Sequence, residues 1–467
     1  MDRTEYLHQV DKPMNPAKRT MISSALLLAF AALPLTAQQQ TLTLADAVSR
    51  ALANNPELAI DAPAQDAARA EISASRAAYL PRIDFEQSFT GGNNPVFVFG
   101  TLLTQRRFTE ANFSIPSLNT PDPAKNLKTG IIGQQMLWDF GRSRDRVEAA
   151  RLGLDVVDRS HEEHVKQVLL RTLDTYYSAS LAASGLETAR SSVAAAEAVV
   201  SQAQARVQSG LSVEADFLRG QVHLANARQQ EIEAGGRLEM ARAMLNRIMG
   251  SPLDGVIGDT ARLLPASFPL PSEELLLAEQ KKSRPDYLRM LTEVRRSELE
   301  AGVRKNSMMP VLGAFAGWEL DNPSLGNYGG NNWTAGISFR WNIYAGGADS
   351  AALQAARHRL EQSRRQLAAM ETALALEVRQ ALIQVRTTAR QVEAMQAAES
   401  QSTESLRILQ NRYEAGLATL TDVLSAETAR AAARTAVAQA IYRYRISYAQ
   451  LEYAAGILSP TSTAMIQ

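Results

Sequence analysis

The chain has 467 residues, 45% hydrophobic and 21% charged, and its 49 basic and 49 acidic residues balance to a formal net charge of zero. That length allows several domains or one extended assembly, and the neutral balance offers no electrostatic footprint for nucleic acid. The chain contains no cysteine, which excludes thiol catalysis, a cysteine-based zinc site, disulfides and a lipoprotein anchor.

At the N-terminus, Lys18 and Arg19 precede an apolar run over 25–35, and Leu35-Thr36-Ala37 fits a cleavage site before Gln38. Residues 1–37 therefore read as a signal peptide, with 1–13 reflecting an early start codon. The apolar run is too short to span a bilayer; a buried N-terminal helix is the other reading. No later run of eighteen apolar residues follows, so no transmembrane helix is expected. A β-barrel escapes that test, because its strands alternate.

The remainder reads as a duplication. Gly141, Arg206, Gly210, Asp216, Leu218, Leu245 and Gly250 recur 206 residues later as Gly347, Arg412, Gly416, Asp422, Leu424, Leu451 and Gly456. Upstream the offset is 229, pairing NNPEL (54–58) with SRPDYL (283–288) and Pro81 with Pro310. The first half must then carry about 23 extra residues between Pro81 and Gly141. They fall in the stretch 95–126, whose Pro, Asn and Thr content predicts a long loop. The organisation expected is a first repeat over 38–250, a linker over 251–275, a second repeat over 276–456 and a tail over 457–467.

Within each repeat a pair of strands comes first, at about 82–98 and 127–140, then at about 311–320 and 333–345. WTAGISFRWNIY (333–344) alternates strictly, with Trp333, Ile337, Phe339 and Trp341 on one face and Thr334, Ser338, Arg340 and Asn342 on the other. Period two with one apolar side is a strand. Long apolar-out, polar-in strands fit a membrane barrel, with Arg340 towards the lumen; an ordinary soluble sheet is the alternative. Four strands cannot close a barrel, so other chains must complete it: two chains make eight strands, three make twelve.

Residues 142–208 and 348–414 contain no proline and are rich in Ala, Arg, Gln, Glu and Leu, all good helix formers. At about 1.5 Å per residue each helix reaches roughly 100 Å. Leu353, Leu360, Leu367 and Leu374 repeat every seven residues, and the phase then slips by four to Val378, Val385 and Val392. Such a stutter relieves left-handed supercoiling, as helices packed into a cylinder require. An exposed coiled coil would also explain the helices, though not the strands.

Each long helix runs into a corner, RVQSGLSVEADFL (206–218) and RYEAGLATLTDVL (412–424). Gly210 and Gly416 are expected to end the helices in a left-handed cap. Asp216 and Asp422 sit early in the next helices, where a carboxylate favours the positive dipole end. Thr419 with Asp422 resembles a capping box.

These features together resemble the TolC family of outer-membrane efflux channels, from LTLADAVSRALANNPEL (42–58) to LEYAAG (451–456), with Leu80-Pro81 before the first strand and the duplicated corner. The resemblance implies an α+β membrane protein, a homotrimer whose four strands per chain make a twelve-stranded barrel in outer-membrane lipid. A long α-helical periplasmic tunnel continues the barrel, with the linker and chain ends in a belt around it. The partners implied are a periplasmic adaptor (a membrane fusion protein) and an inner-membrane RND, ABC or MFS transporter. Function would be a passive exit duct for efflux or type I secretion, opened at the tips marked by Gly210, Gly416, Arg206 and Arg412. The resemblance places Asp422 in a pore ring and bonds Asp216 to Tyr413 as an inter-helix lock. Two departures stand out: Ala418 replaces an Arg, and Ser425 replaces the acidic residue of a second ring. Asp422 thus carries two readings, cap and ring.

The competing function is a periplasmic coiled-coil adaptor or scaffold, whose strands would form a small soluble domain. An enzyme is not expected: the chain has no Walker motif, no G-x-S-x-G and no cofactor fingerprint. His161 and His164 are spaced i, i+3 with no third ligand in sequence, and read as a solvated helix face rather than a metal pair.

Overall fold

The structure, a computed structural model, describes residues 41–465; the expected signal peptide lies outside the described residues. Helices α1 (Leu44–Asn54), α2 (Pro56–Ala59) and α3 (Asp61–Arg76) lead to strand β1 (Arg82–Gly92). Two short helices, α4 (Pro95–Thr104) and α5 (Ile115–Asn119), precede β2 (Ala124–Trp138). Then come the long α6 (Arg142–Gln208) and α7 (Glu214–Ile248), followed by α8 (Glu273–Ser283) and α9 (Pro285–Asn306). Strands β3 (Val311–Asn322) and β4 (Gly330–Arg340) lead into α10 (Ala348–Glu414) and α11 (Leu420–Ala454). α6 and α10 have 67 residues each, α7 and α11 35 each.

The strands form one antiparallel sheet in the order β1-β2-β3-β4. Cross-strand pairing puts Phe85, Ile131, Trp318 and Trp333 in one row across the sheet, on a face where Ile83, Phe89, Ile337 and Phe339 are also exposed. The opposite face carries Asp84, Glu86, Lys128, Glu319, Thr334 and Ser338, with Lys128 and Glu319 ion-paired. Each strand of eleven residues reaches about 37 Å, enough to cross a bilayer with tilt. Among the described residues, no helix is long and apolar enough to cross a membrane.

Two strand ends differ from expectation by five residues or more. β4 stops at Arg340 rather than 345, because Arg340 already pairs with Val311, the first residue of β3, and β3 offers no further ladder partner. β1 stops at Gly92 rather than 98. Asn94 accepts hydrogen bonds from the Val96 and Phe97 amides at 3.0 and 3.3 Å and caps α4, so the stretch expected to be loop is partly helical.

Small residues set the helix spacing. Gly220, Ala227, Ala234 and Ala241 recur every seven residues along α7 and are buried, which draws α7 close to α6. On α10, Leu374, Val378, Val385 and Val392 are buried, while Leu353, Leu360 and Leu367 are half-buried. The main core gathers α1, the middle of α6 and α10, and the ends of α7 and α11, around Leu44, Leu173, Tyr176, Leu245, Val385 and Leu451. The linker is fastened there by tyrosines. Tyr176 donates to the Leu42 carbonyl at 2.9 Å and accepts from the Ala261 amide at 3.1 Å. Tyr444 accepts from the Phe268 amide and Tyr448 donates to the Pro269 carbonyl. The Phe268 ring stacks on Tyr448 at 4.4 Å.

The returning helices end alike. Gly250 (φ +68°) and Gly456 (φ +75°) are left-handed, and the next amides, Ser251 and Ile457, reach back to the Asn246 and Glu452 carbonyls at 2.9 Å. Asn55 Nδ2 donates to the Ile248 carbonyl at 2.9 Å, and Arg284 Nη1 to the Ala454 carbonyl at 3.0 Å. A Cβ on Gly250 would lie 2.1 Å from the Asn54 carbonyl oxygen, whereas one on Gly210 would meet nothing within 4 Å. Gly210→Ala should therefore cost only the left-handed backbone penalty, about 1–2 kcal/mol, and Gly250→Ala clearly more. Thermal unfolding of the two variants side by side checks this; equal losses would contradict the close approach at Asn54.

Candidate functional site: the two helix corners

Both corners use the same backbone device. The Leu211 amide donates to the Arg206 carbonyl at 2.8 Å and the Gly210 amide to Val207 at 3.0 Å. Leu417 donates to Arg412 at 2.7 Å and Gly416 to Tyr413 at 3.0 Å. With φ of +73° at both glycines, these are Schellman ends, which satisfy carbonyls that a helix terminus leaves open.

The two corners meet at one end of the long helices. Arg206 Nη1 donates to the Tyr413 carbonyl at 3.1 Å, and its guanidinium lies 4.8 Å from the Tyr413 ring centroid. That stacking adds a cation–π attraction to the hydrogen bond. Beneath it, Ala203, Leu406, Leu420, Val423 and Ala426 make a small apolar cluster with Tyr413. Arg206 therefore clamps the second corner onto α6, a role its place in the repeat did not reveal, because the partner is 207 residues away.

The expected lock between Asp216 and Tyr413 is not made within the chain. Asp216 accepts instead from Ser212 Oγ at 2.7 Å and pairs with Arg219 at 3.5 Å, and among the described residues of the chain the buried Tyr413 hydroxyl meets no hydrogen-bond partner. Local groups three and four residues away reach the carboxylate first. Burial pushes the Tyr413 hydroxyl pKa up, and the Asp216 charge adds to that against the opposing Arg206.

At the second corner the capping geometry is complete. Thr419 Oγ1 accepts from the Asp422 amide at 3.2 Å, and Asp422 Oδ2 accepts from the Thr419 amide at 2.9 Å and its hydroxyl at 2.7 Å. Those hydrogen bonds from Thr419, aided by the Arg412 charge, hold the Asp422 carboxyl below its ordinary pKa. Asp422 and Ser425 lie one turn apart and both are exposed. Ala418 packs against the apolar cluster, so no cation projects from that position.

Comparison with known proteins decides what this arrangement belongs to. The outer membrane efflux protein family model matches residues 47–251 and 276–457. The chain belongs to the outer membrane efflux protein family. It is 26% identical to the alkaline protease secretion protein AprF of Pseudomonas aeruginosa, covering 91% of this chain and 86% of that one. It is 23% identical to the outer membrane protein TolC of Vibrio cholerae, covering 89% and 91%. Among solved structures, the CmeC outer membrane channel of Campylobacter jejuni superposes with a TM-score of 0.76 at 19% identity, covering 90% and 87%. The open-state MtrE outer membrane channel of Neisseria gonorrhoeae gives 0.72 at 18%, covering 88% of each. This outer membrane efflux protein is therefore an exit duct of the outer membrane, and the scaffold reading falls away.

One further cluster in the efflux protein departs from its sequence reading. His161 and His164 are not simply solvated: their Nδ1 atoms sit 2.9 Å from the two carboxylate oxygens of Asp61 at the start of α3. The i, i+3 spacing puts both rings on one face of α6, and Asp61, 7% exposed, ties that face to α3. Sequence could signal the His pair but not its partner, about a hundred residues upstream. No group of three or more metal-ligating side chains that could hold an ion occurs among the described residues. Burial pushes the Asp61 carboxyl up, but the hydrogen bonds and charges of the two imidazoles outweigh it and hold the pKa below the ordinary value. A folded pKa below the unfolded one stabilises at pH values above the ordinary carboxylate range, and that stability is lost as pH falls through the lowered pKa. Asp61→Asn should cost about 1–2 kcal/mol at pH 7, with the gap to the natural protein closing in acid. Melting curves from neutral pH to pH 3 test it; a gap that does not change with pH would contradict the assignment.

Proposed function

We propose that three copies of the chain close their sheets into one twelve-stranded barrel, continued by their helices as a tunnel across the periplasm. The observation that carries this reading is the open sheet. β1 and β4 are its two edges, they run antiparallel to each other, and both expose apolar side chains on the same face. The β4 of one copy can therefore pair with the β1 of the next without breaking the alternation, and closure removes every free edge. An eight-stranded barrel is filled by its own side chains, whereas twelve strands leave a lumen, so three copies suit a duct and two do not. The matched contacts at Gly250 and Gly456 support descent of the two halves from one duplicated unit.

In this reading the Arg206–Tyr413 corner is the periplasmic tip, and the linker with the chain ends forms a belt midway. A periplasmic adaptor and an inner-membrane pump of the RND, ABC or MFS type would supply the energy, and the duct would conduct passively. The likeness to AprF and TolC supports type I secretion or tripartite efflux. The exposed Asp422, repeated three times about the axis, would ring the tip with carboxylates that attract multivalent cations. Ser425 would replace a second ring with hydroxyls, and Ala418 would leave the closed state with one cation fewer.

Cap and ring separate experimentally. Asp422→Ala should weaken multivalent-cation block of the reconstituted channel by about tenfold, while Thr419→Ala, which removes a cap worth about 1 kcal/mol, should leave block intact. Undiminished block in Asp422→Ala would reduce Asp422 to a helix cap.

A further inference from the structure

The extra stretch of the first half does not sit outside the sheet. Three observations place α4 across its polar face, at the end far from the long helices. Gln105, 2% exposed, donates through Nε2 to Asn126 Oδ1 at 2.9 Å and to the Lys125 carbonyl at 2.7 Å. Asn126 and Asn332 both bond the buried Asp321 across three strands, and all three side chains project from the polar face by register. A Cβ on Gly92 would touch the Phe97 ring at 3.5 Å, and one on Gly330 would fall 1.9 Å from the Thr104 carbonyl oxygen; both glycines point to that same face. The helix is thus seated on the sheet where a side chain would push it off.

α4 is also apolar on its other side. Val98, Thr101 and Gln105 are buried against the sheet, while Val96 and Leu103 are 81% and 48% exposed on the opposite side. Between them Gly100 has open space where a Cβ would stand, as a close helix–helix contact needs. An exposed Val-Gly-Leu face is out of place in a water-filled lumen unless something apolar covers it.

We propose that this face meets the same face of α4 in the other two copies, so that three helices plug the outer mouth of the barrel. The proposal rests on the trimeric barrel reading, in which the polar face lines the lumen. Dimensions support the occupant. Twelve strands about 4.8 Å apart and tilted about 40° set their backbones on a circle roughly 24 Å across, and at Gly92 and Gly330 no side chain stands between that wall and α4. Three helices about 10 Å wide need a circle of about 22 Å. The duct then has a constriction at each end: polar at the tip, apolar and built from the first-half insertion at the exit.

The absence of cysteine makes the test clean. Leu103→Cys and, separately, Val96→Cys in the full-length protein, oxidised mildly or treated with a short thiol cross-linker, should give covalent dimers in more than half of the chains on denaturing gels. Replacing 95–119 with a short Gly-Ser linker should raise the size of polymer that enters from the outer side. No cross-link and unchanged polymer entry, in chains that still run as a trimer before heating, overturn the plug and leave the barrel standing. Failure of the unsubstituted protein to form a trimer overturns the barrel reading, and the plug with it.

Discussion

Gly250 and Gly456 bring helix ends and backbone together so tightly that no side chain fits between them: a Cβ would stand 2.1 Å from the Asn54 carbonyl oxygen at the first and 2.9 Å from the Arg284 amide nitrogen at the second. At these two points the returning helices α7 and α11 stop and the helices that feed the strands begin. Asn55 and Arg284 then bond the carbonyls of the last turns. Because both anchor points are fixed, the strands are presented from a rigid helical layer rather than from loops. The far corners are held instead by the Arg206–Tyr413 contact and the apolar cluster beneath it.

The corners are built differently despite their shared backbone. The second is clamped: Arg206 covers Tyr413, an apolar cluster lies beneath, and Thr419 with Asp422 closes the next helix start. The first has no side-chain cap on α7, and Leu211, Val213 and Leu218 are exposed. The shared backbone turn therefore carries a packed, capped corner in the second half and an open, apolar one in the first.

How much of this could be read beforehand follows from the range of each interaction. Strict alternation in β4 and the proline-free run in α10 are local properties, and both elements formed. The corner glycines are equally local, since a left-handed residue after a helix is a backbone requirement. PVFVFGTLLT was opaque. It is apolar on all sides and so has no period, and its position on the polar face is decided by Gln105, Gly92 and Gly330 together. The lock assigned to Asp216 is not made within the chain, for the reverse reason. A resemblance to other chains supplied the partner, whereas Ser212 and Arg219, its own neighbours, took the carboxylate.

Element order was therefore in the amino acids alone, because periodicity and helix ends need no knowledge of distant contacts, while family and compartment followed from resemblance to known chains. The pairing of Arg206 with Tyr413, of the two histidines with Asp61 and of α4 with the sheet's polar face came only from the folded chain. Each joins groups on different elements, and the last depends on where glycine leaves room for another backbone. Such complementarity has no signature in one segment, since neither half of the contact is unusual until the other is in place.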